Sequence, residues 1–139
     1  MKLRIVWAGK TRNPHMAKLC AGYMARIQHF LPLEIAEVDR RKMAAALEAS
    51  DLVVSLDPNG KSWTSGELAA FVQQHMTSDS RRLTFVIGDY AGLSEDVKRR
   101  ADVQWSLSPL TFTHDLTRVL LLEQLYRALA VIHHLPYAK

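Results

Sequence analysis

The alternation of short apolar runs with segments of helical spacing is what most narrows the folds open to this chain. Residues 2–8 are rich in strand formers and stop at Gly9. From 14 to 30, Met16, Leu19, Cys20, Tyr23, Met24, Ile27 and Phe30 recur at the i, i+3, i+4 spacing of an amphipathic helix. Residues 33–38 alternate apolar and acidic, as a half-exposed strand does, and the alanine-rich stretch 41–49 predicts a short helix. Residues 51–57 have an unbroken apolar centre suited to a buried strand, and Pro58-Asn59-Gly60 predicts a turn after it.

A further helix is expected over 64–77, where Thr64 and Glu67 have the spacing of a capping box. Residues 83–87 read as the next buried strand, closed by Gly88-Asp89-Tyr90-Ala91-Gly92. Ser94 then caps a short helix containing Val97, 103–107 forms a fifth strand, and a last helix spans 113–133. This pattern is that of one α/β domain over 1–139, a largely parallel sheet flanked by helices. Ligands of such sheets gather at the carboxyl ends of the strands, here Gly9, Leu56-Asp57, Gly88 and Leu107-Ser108. Apolar side chains cover more of the last helix than one sheet face would bury, which predicts a homodimer, the alternative being a deeply buried core helix.

Several chemistries are excluded by what is missing. Gly9-Lys10-Thr11 resembles the end of a phosphate-binding loop, but the earlier glycine would fall at Arg4. No GxGxxG follows the first strand, no GxSxG marks a hydrolase, and the six histidines show no zinc spacing, so no metal is expected. His114, in the first turn of the last helix, either serves as a base or is simply hydrogen-bonded at the helix entrance. No apolar run approaches the roughly 18 residues of a membrane span. There is no signal-peptide pattern, and the single cysteine, Cys20, has no disulfide partner, so a cytoplasmic protein is expected. Nine of the 18 basic residues but only four of the 14 acidic ones lie in residues 1–50, a bias that either steers the chain toward a polyanion such as RNA or is simply a solvated surface.

What remains is a constellation of backbone. If the strands ending at Leu56, Gly88 and Leu107 are neighbours, their ends meet in one crevice. Apolar walls with free amides and carbonyls suit an adenine ring, and Gly88, lacking a side chain, permits close approach.

The run Ser106-Leu107-Ser108-Pro109-Leu110-Thr111-Phe112-Thr113-His114, followed by Arg118-Val119-Leu120 and Glu123-Gln124-Leu125-Tyr126-Arg127-Ala128, resembles the RlmH family of SPOUT methyltransferases. Phe85-Val86-Ile87-Gly88 with Gly92-Leu93-Ser94, Ser55-Leu56-Asp57 with Gly60-Lys61, and Met1-Lys2-Leu3 with Ala8-Gly9-Lys10 extend the resemblance over nearly the whole chain. It implies a parallel sheet with a C-terminal trefoil knot, a homodimer, and S-adenosylmethionine as methyl donor. The implied activity is methylation of N3 of a pseudouridine in large-subunit (23S) ribosomal RNA. The resemblance places the donor on Leu56, Gly88, Leu107, Ser108, Pro109, Leu110, Thr111 and Phe112, and the RNA on Tyr137 and Lys139. It identifies no catalytic residue.

Four departures stand out. Gly88-Asp89 replaces a usual pair of glycines, Thr113 replaces a proline, Ala138 stands where the family's tail carries histidine, and the segment between Val38 and Leu47 is short. Two further readings are a non-catalytic RNA-binding relative and a flavodoxin-like nucleotide binder.

Overall fold

The computed structural model describes residues 2–78 and 81–137. In chain order the elements are β1 (Leu3–Ala8), α1 (Pro14–Gln28), β2 (Leu33–Val38), β3 (Asp51–Ser62), α2 (Ser65–Ser78), β4 (Arg82–Ile87), α3 (Glu95–Arg100), β5 (Val103–Ser106) and α4 (His114–Ile132). The strands form one sheet in the order β2-β1-β4-β3-β5, every neighbouring pair parallel. The α/β class and flanked parallel sheet expected from the alternation are therefore what the chain adopts. The flavodoxin-like reading fails on strand order, because β4 is inserted between β1 and β3 instead of following β3 outward.

The apolar runs are unbroken because both faces of the sheet are covered. Leu3, Ile5, Trp7, Leu52, Val54, Leu83, Phe85 and Ile87 join the core formed with α1, α2 and α4. The intervening Val6, Val53 and Val86 face the other way and pack with Met43, Leu93 and Val97. Side-chain oxygens start the helices. Asn13 accepts from the His15 and Met16 amides, Ser94 from Val97 and Thr113 from Leu116. The capping box closes both ways, Glu67 amide to Thr64 Oγ1 at 3.1 Å and Thr64 amide to Glu67 Oε1 at 3.0 Å.

Two expectations are corrected. Residues 41–49 do not form an α-helix but two 3₁₀ turns, Arg40–Lys42 and Ala44–Ala46, with i→i+3 bonds such as Lys42 N–H to Asp39 O at 2.8 Å. Met43, 1% exposed, is anchored in the core at its middle, and that tertiary contact overrides the local helix preference of the alanines. Pro58-Asn59-Gly60 does not end the third strand. Leu56 and Lys61 both pair with Trp105, so the intervening residues bulge and β3 then resumes beside β5. A Cβ on Gly60 would lie 2.6 Å from the Gln104 carbonyl carbon, so this close return needs glycine.

The broad apolar surface of α4 also has an explanation within the chain. This helix packs between α1 and α2 as well as on the sheet, burying Val119, Leu121, Leu122, Leu125, Ala128, Leu129 and Ala130. At the opposite end of the sheet from the strand carboxyl ends, Asp51 is buried against Arg82 (2.7 and 3.2 Å), the Glu48 amide (2.9 Å) and Arg4 (3.9 Å).

Candidate functional site

Because β4, β3 and β5 are adjacent, their carboxyl ends do meet. Leu56, Gly88, Leu107, Ser108, Leu110, Thr111 and Phe112 line one cavity of about 390 Å³, a size ordinary for small-molecule sites. Of the residues named from sequence for this crevice, Pro109 alone does not line it. Sequence reasoning missed Asn59, Tyr90, Lys98 and Thr117, which also line it. Thr117 lies three residues beyond His114 on α4, so the helical period offered a signal for it. No sequence period pointed to Tyr90 or Lys98, whose positions depend on how the 88–93 loop and α3 fold back over the strand ends.

The walls are apolar where Leu56, Ile87, Leu107 and Phe112 meet, and Leu110 stands 70% exposed at the lining. The amides of Thr111 and Phe112 have no hydrogen-bond partner among the described residues. Backbone donors beside an apolar cavity call for a partner, and the edge of a heterocycle is one that fits.

The loop after β4 is held in a tight conformation. Gly92 has φ +77° and donates to Asp89 O at 2.8 Å. A Cβ on Gly88 would lie 2.6 Å from the Gly92 carbonyl carbon, so Gly88 is needed for loop closure and not only for ligand approach. Asp89 accepts the Ala91 amide at 2.9 Å and faces Arg40 Nε at 3.5 Å. Arg40 also donates to Gly92 O at 2.9 Å. The aspartate at the cavity mouth is thus charge-paired and ties the 3₁₀ turn to the loop.

A second cavity of about 480 Å³ opens at the end of β1, lined by Ala8, Gly9, Lys10, Arg12, Asp39, Arg40, Asp115 and Arg118, and shares Asp89, Tyr90 and His114 with the first. His114 therefore lies on the wall between the two, and its ring has no hydrogen-bond partner among the described residues. That outcome goes against the reading of a histidine simply bonded at the helix entrance. Among the described residues no cluster of three or more His, Cys, Asp or Glu could hold a metal ion, and no helix is long and apolar enough to cross a membrane.

Beneath the second cavity Arg118 is 1% exposed, stacked 4.7 Å from the Trp7 ring, and donates to Ala8 O at 2.6 Å and Thr11 Oγ1 at 3.0 Å. Burial pulls its pKa below the ordinary arginine value, with Asp115 and Glu37 opposing that shift. Tyr137 is not brought to either cavity of the same chain. Its hydroxyl lies 3.1 Å from that of Tyr23 and its ring packs edge-on to Tyr126. Burial, with the Tyr23 and Glu123 hydrogen bonds, raises its pKa above the ordinary tyrosine value. Ala138 and Lys139 lie outside the described residues.

Comparison with known proteins agrees with this arrangement. The family model described as "Predicted SPOUT methyltransferase" matches residues 1–138. The chain is 37% identical to "Ribosomal RNA large subunit methyltransferase H" of Trichlorobacter lovleyi over 151 residues, with 99% of each chain covered. It is also 37% identical to the protein of that name from Coprothermobacter proteolyticus over 139 residues, covering 100% of both. Among solved structures, a putative methyltransferase from Legionella pneumophila in complex with the bound cofactor SAM shares the fold. Its TM-score is 0.53 at 13% identity, covering 92% of this chain and 66% of that one. With its sheet order, its crevice and a match running from residue 1 to residue 138, the chain belongs to the SPOUT methyltransferase family.

Proposed function

We propose that the chain transfers a methyl group from S-adenosylmethionine to N3 of a pseudouridine in large-subunit ribosomal RNA. The observation that carries this reading is the convergence of three segments distant in sequence, at Leu56, Gly88 and 107–112, on one apolar cavity with free amides. Full-length relatives named for ribosomal RNA methylation support the substrate class. When bound, the donor supplies a methyl group made electrophilic by its sulfonium. Leu56, Leu107 and Phe112 would enclose the adenine, and the Thr111 and Phe112 amides would bond its edge.

The rest of the task is positioning, which in a well-aligned pair can contribute about 7–11 kcal/mol of barrier lowering. N3 loses its proton as its bond to the methyl carbon forms and the sulfur–carbon bond breaks. His114, unpartnered between the two cavities, is the candidate proton acceptor; a general base of this kind adds about 10²–10⁴-fold. The C-terminal trefoil knot belongs to the same reading, supported by the family match over residues 1–138. So do a cytoplasmic location and a ribosomal partner.

The test is calorimetric titration with S-adenosylmethionine, together with methyl transfer to large ribosomal subunits that lack the modification, read as 3-methylpseudouridine by nucleoside mass spectrometry. Binding and transfer are both expected. Absence of donor binding overturns the reading, and binding without transfer assigns the chain to a non-catalytic RNA-binding relative instead.

A homodimer is the proposed working form. Since α1 and α2 already cover much of α4, the side chains available to a partner are fewer: Leu19, Val131 and Leu135 are the exposed apolar ones on or just beyond α1 and α4. A stable interface there needs to bury more than about 1,000 Å² in total. Sedimentation at micromolar concentration should give twice the chain mass, and a monomer would reject the dimer.

A further inference from the structure

We propose that the second cavity is an RNA subsite in which Lys10 and Arg12 hold backbone phosphates beside the nucleotide being methylated. This rests on the RNA-methyltransferase reading above. The cavity abuts the donor cavity through Asp89, Tyr90 and His114, so groups bound in the two are neighbours across that wall.

Its charge is the second ground. The acidic residues around it already have partners. Asp115 accepts the Arg12 amide at 3.1 Å and the Asn13 amide at 2.7 Å. Asp89 is paired with Arg40, and Asp39 accepts from the Arg41 backbone and side chain. The side chains of Lys10 and Arg12, both exposed, have no ion pair or hydrogen bond among the described residues. These are the cations left over to meet an anion.

The loop that carries them is also built to hold a fixed shape. Gly9 turns at φ +77° and donates to Val38 O at 2.9 Å. Arg118 grips the loop from below through Ala8 O and Thr11 Oγ1, and its Nε is buried without a partner. A guanidinium held in a low-dielectric floor strengthens the positive field above it. Fixed carriers lose less entropy when they take up a ligand than a frayed loop would. Diester phosphates are the anions that a chain of nucleotides presents at regular intervals, and lysine and arginine are the side chains that position them.

The test uses the full chain with both side chains removed, Lys10→Ala and Arg12→Ala together. The Arg12 amide bond to Asp115 is kept, so folding is undisturbed. Binding to large ribosomal subunits lacking the modification is measured by sedimentation across a series of salt concentrations, and S-adenosylmethionine binding by calorimetry. Subunit affinity should fall about tenfold or more, and the slope of log affinity against log salt should shrink by roughly 0.7–0.9 per phosphate lost. Donor affinity should stay within about twofold. An unchanged salt slope overturns the proposal, as does an equal loss of donor affinity, which would assign the two residues to the first cavity. If the slope falls while the unsubstituted protein transfers no methyl group, the subsite stands and only the catalytic reading is lost.

Discussion

Asp51→Asn is expected to lower the stability of the fold by about 3 kcal/mol at neutral pH, the low end of the cost of breaking a buried ion pair. The Asp51 carboxylate is 1% exposed and takes two hydrogen bonds from Arg82, at 2.7 and 3.2 Å, and one from the Glu48 amide at 2.9 Å. Asparagine fits the space but presents an amide to a guanidinium, leaving part of that cation's charge uncompensated. Arg82 keeps Glu34 and Glu48, each at 3.6 Å, which is why the low end applies.

The same residue sets a pH dependence. Burial alone would raise the Asp51 pKa, but the Arg82 bond, the Glu48 amide and the charges of Arg82 and Arg4 outweigh it and hold the carboxyl below its ordinary range. A carboxyl depressed in the folded state contributes stability above its unfolded pKa of about 3.9, and that contribution disappears as pH falls through the folded value. Urea unfolding of both proteins should therefore show a gap that is constant from about pH 7 to 5 and closes below about pH 4. A gap under about 1 kcal/mol at pH 7, or one that does not narrow in acid, would contradict this account.

What the sequence disclosed and what it concealed divide along physical lines. The 2.0 and 3.6 periods are local, so β2, β4 and α4 were legible to within a residue or two, and caps at Thr64 and Ser94 were readable because their partners lie within three residues. The extension of β3 past Gly60 was not legible, since it depends on pairing with Trp105, more than 40 residues away. The 3₁₀ turns at 40–46 were hidden for a related reason. Alanine favours a helix locally, and the anchoring of Met43 among Val6, Val53, Val86 and Val97 overrides it.

The first cavity was half legible. Strand ends at Leu56, Gly88 and Leu107 follow from local pattern, but their meeting required β4, β3 and β5 to be neighbours, an order no local period encodes. The second cavity was legible only as a strand end at Gly9. It depends on the packing of the α4 arginine at 118 under the loop after β1, a contact across 110 residues. Tyr137 shows the reverse case: a residue assigned by resemblance to the RNA site packs, within one chain, against Tyr23 and Tyr126.

Gly88→Ala and Gly88→Val should weaken S-adenosylmethionine binding by nearly equal amounts, about five- to 150-fold. From sequence, the glycine's purpose was to let a ligand approach, which would make alanine mild and valine severe. The geometry gives a different cause. An added Cβ would lie 2.6 Å from the Gly92 carbonyl carbon, 2.7 Å from its oxygen and 2.9 Å from the Leu93 nitrogen. These are backbone atoms, held by the Gly92 bond to Asp89 and by Arg40, so they cannot move aside cheaply. The clash is complete at the first carbon, and valine's two further methyl groups add little. Overpacking of this kind costs about 1–3 kcal/mol. If the chain relieves it by displacing the 88–93 loop, the binding-competent population falls by the corresponding factor, and apparent affinity falls with it. The Ile87-Gly88-Asp89 wall of the first cavity moves, while the sheet beneath it, packed through Phe85 and Val86, stays in place. Calorimetric titration of both variants, with circular dichroism to confirm folding, decides the matter. Alanine within about twofold of the unsubstituted protein, beside a large loss in valine, would return Gly88 to a role in ligand approach and would remove the loop clash as the reason for glycine.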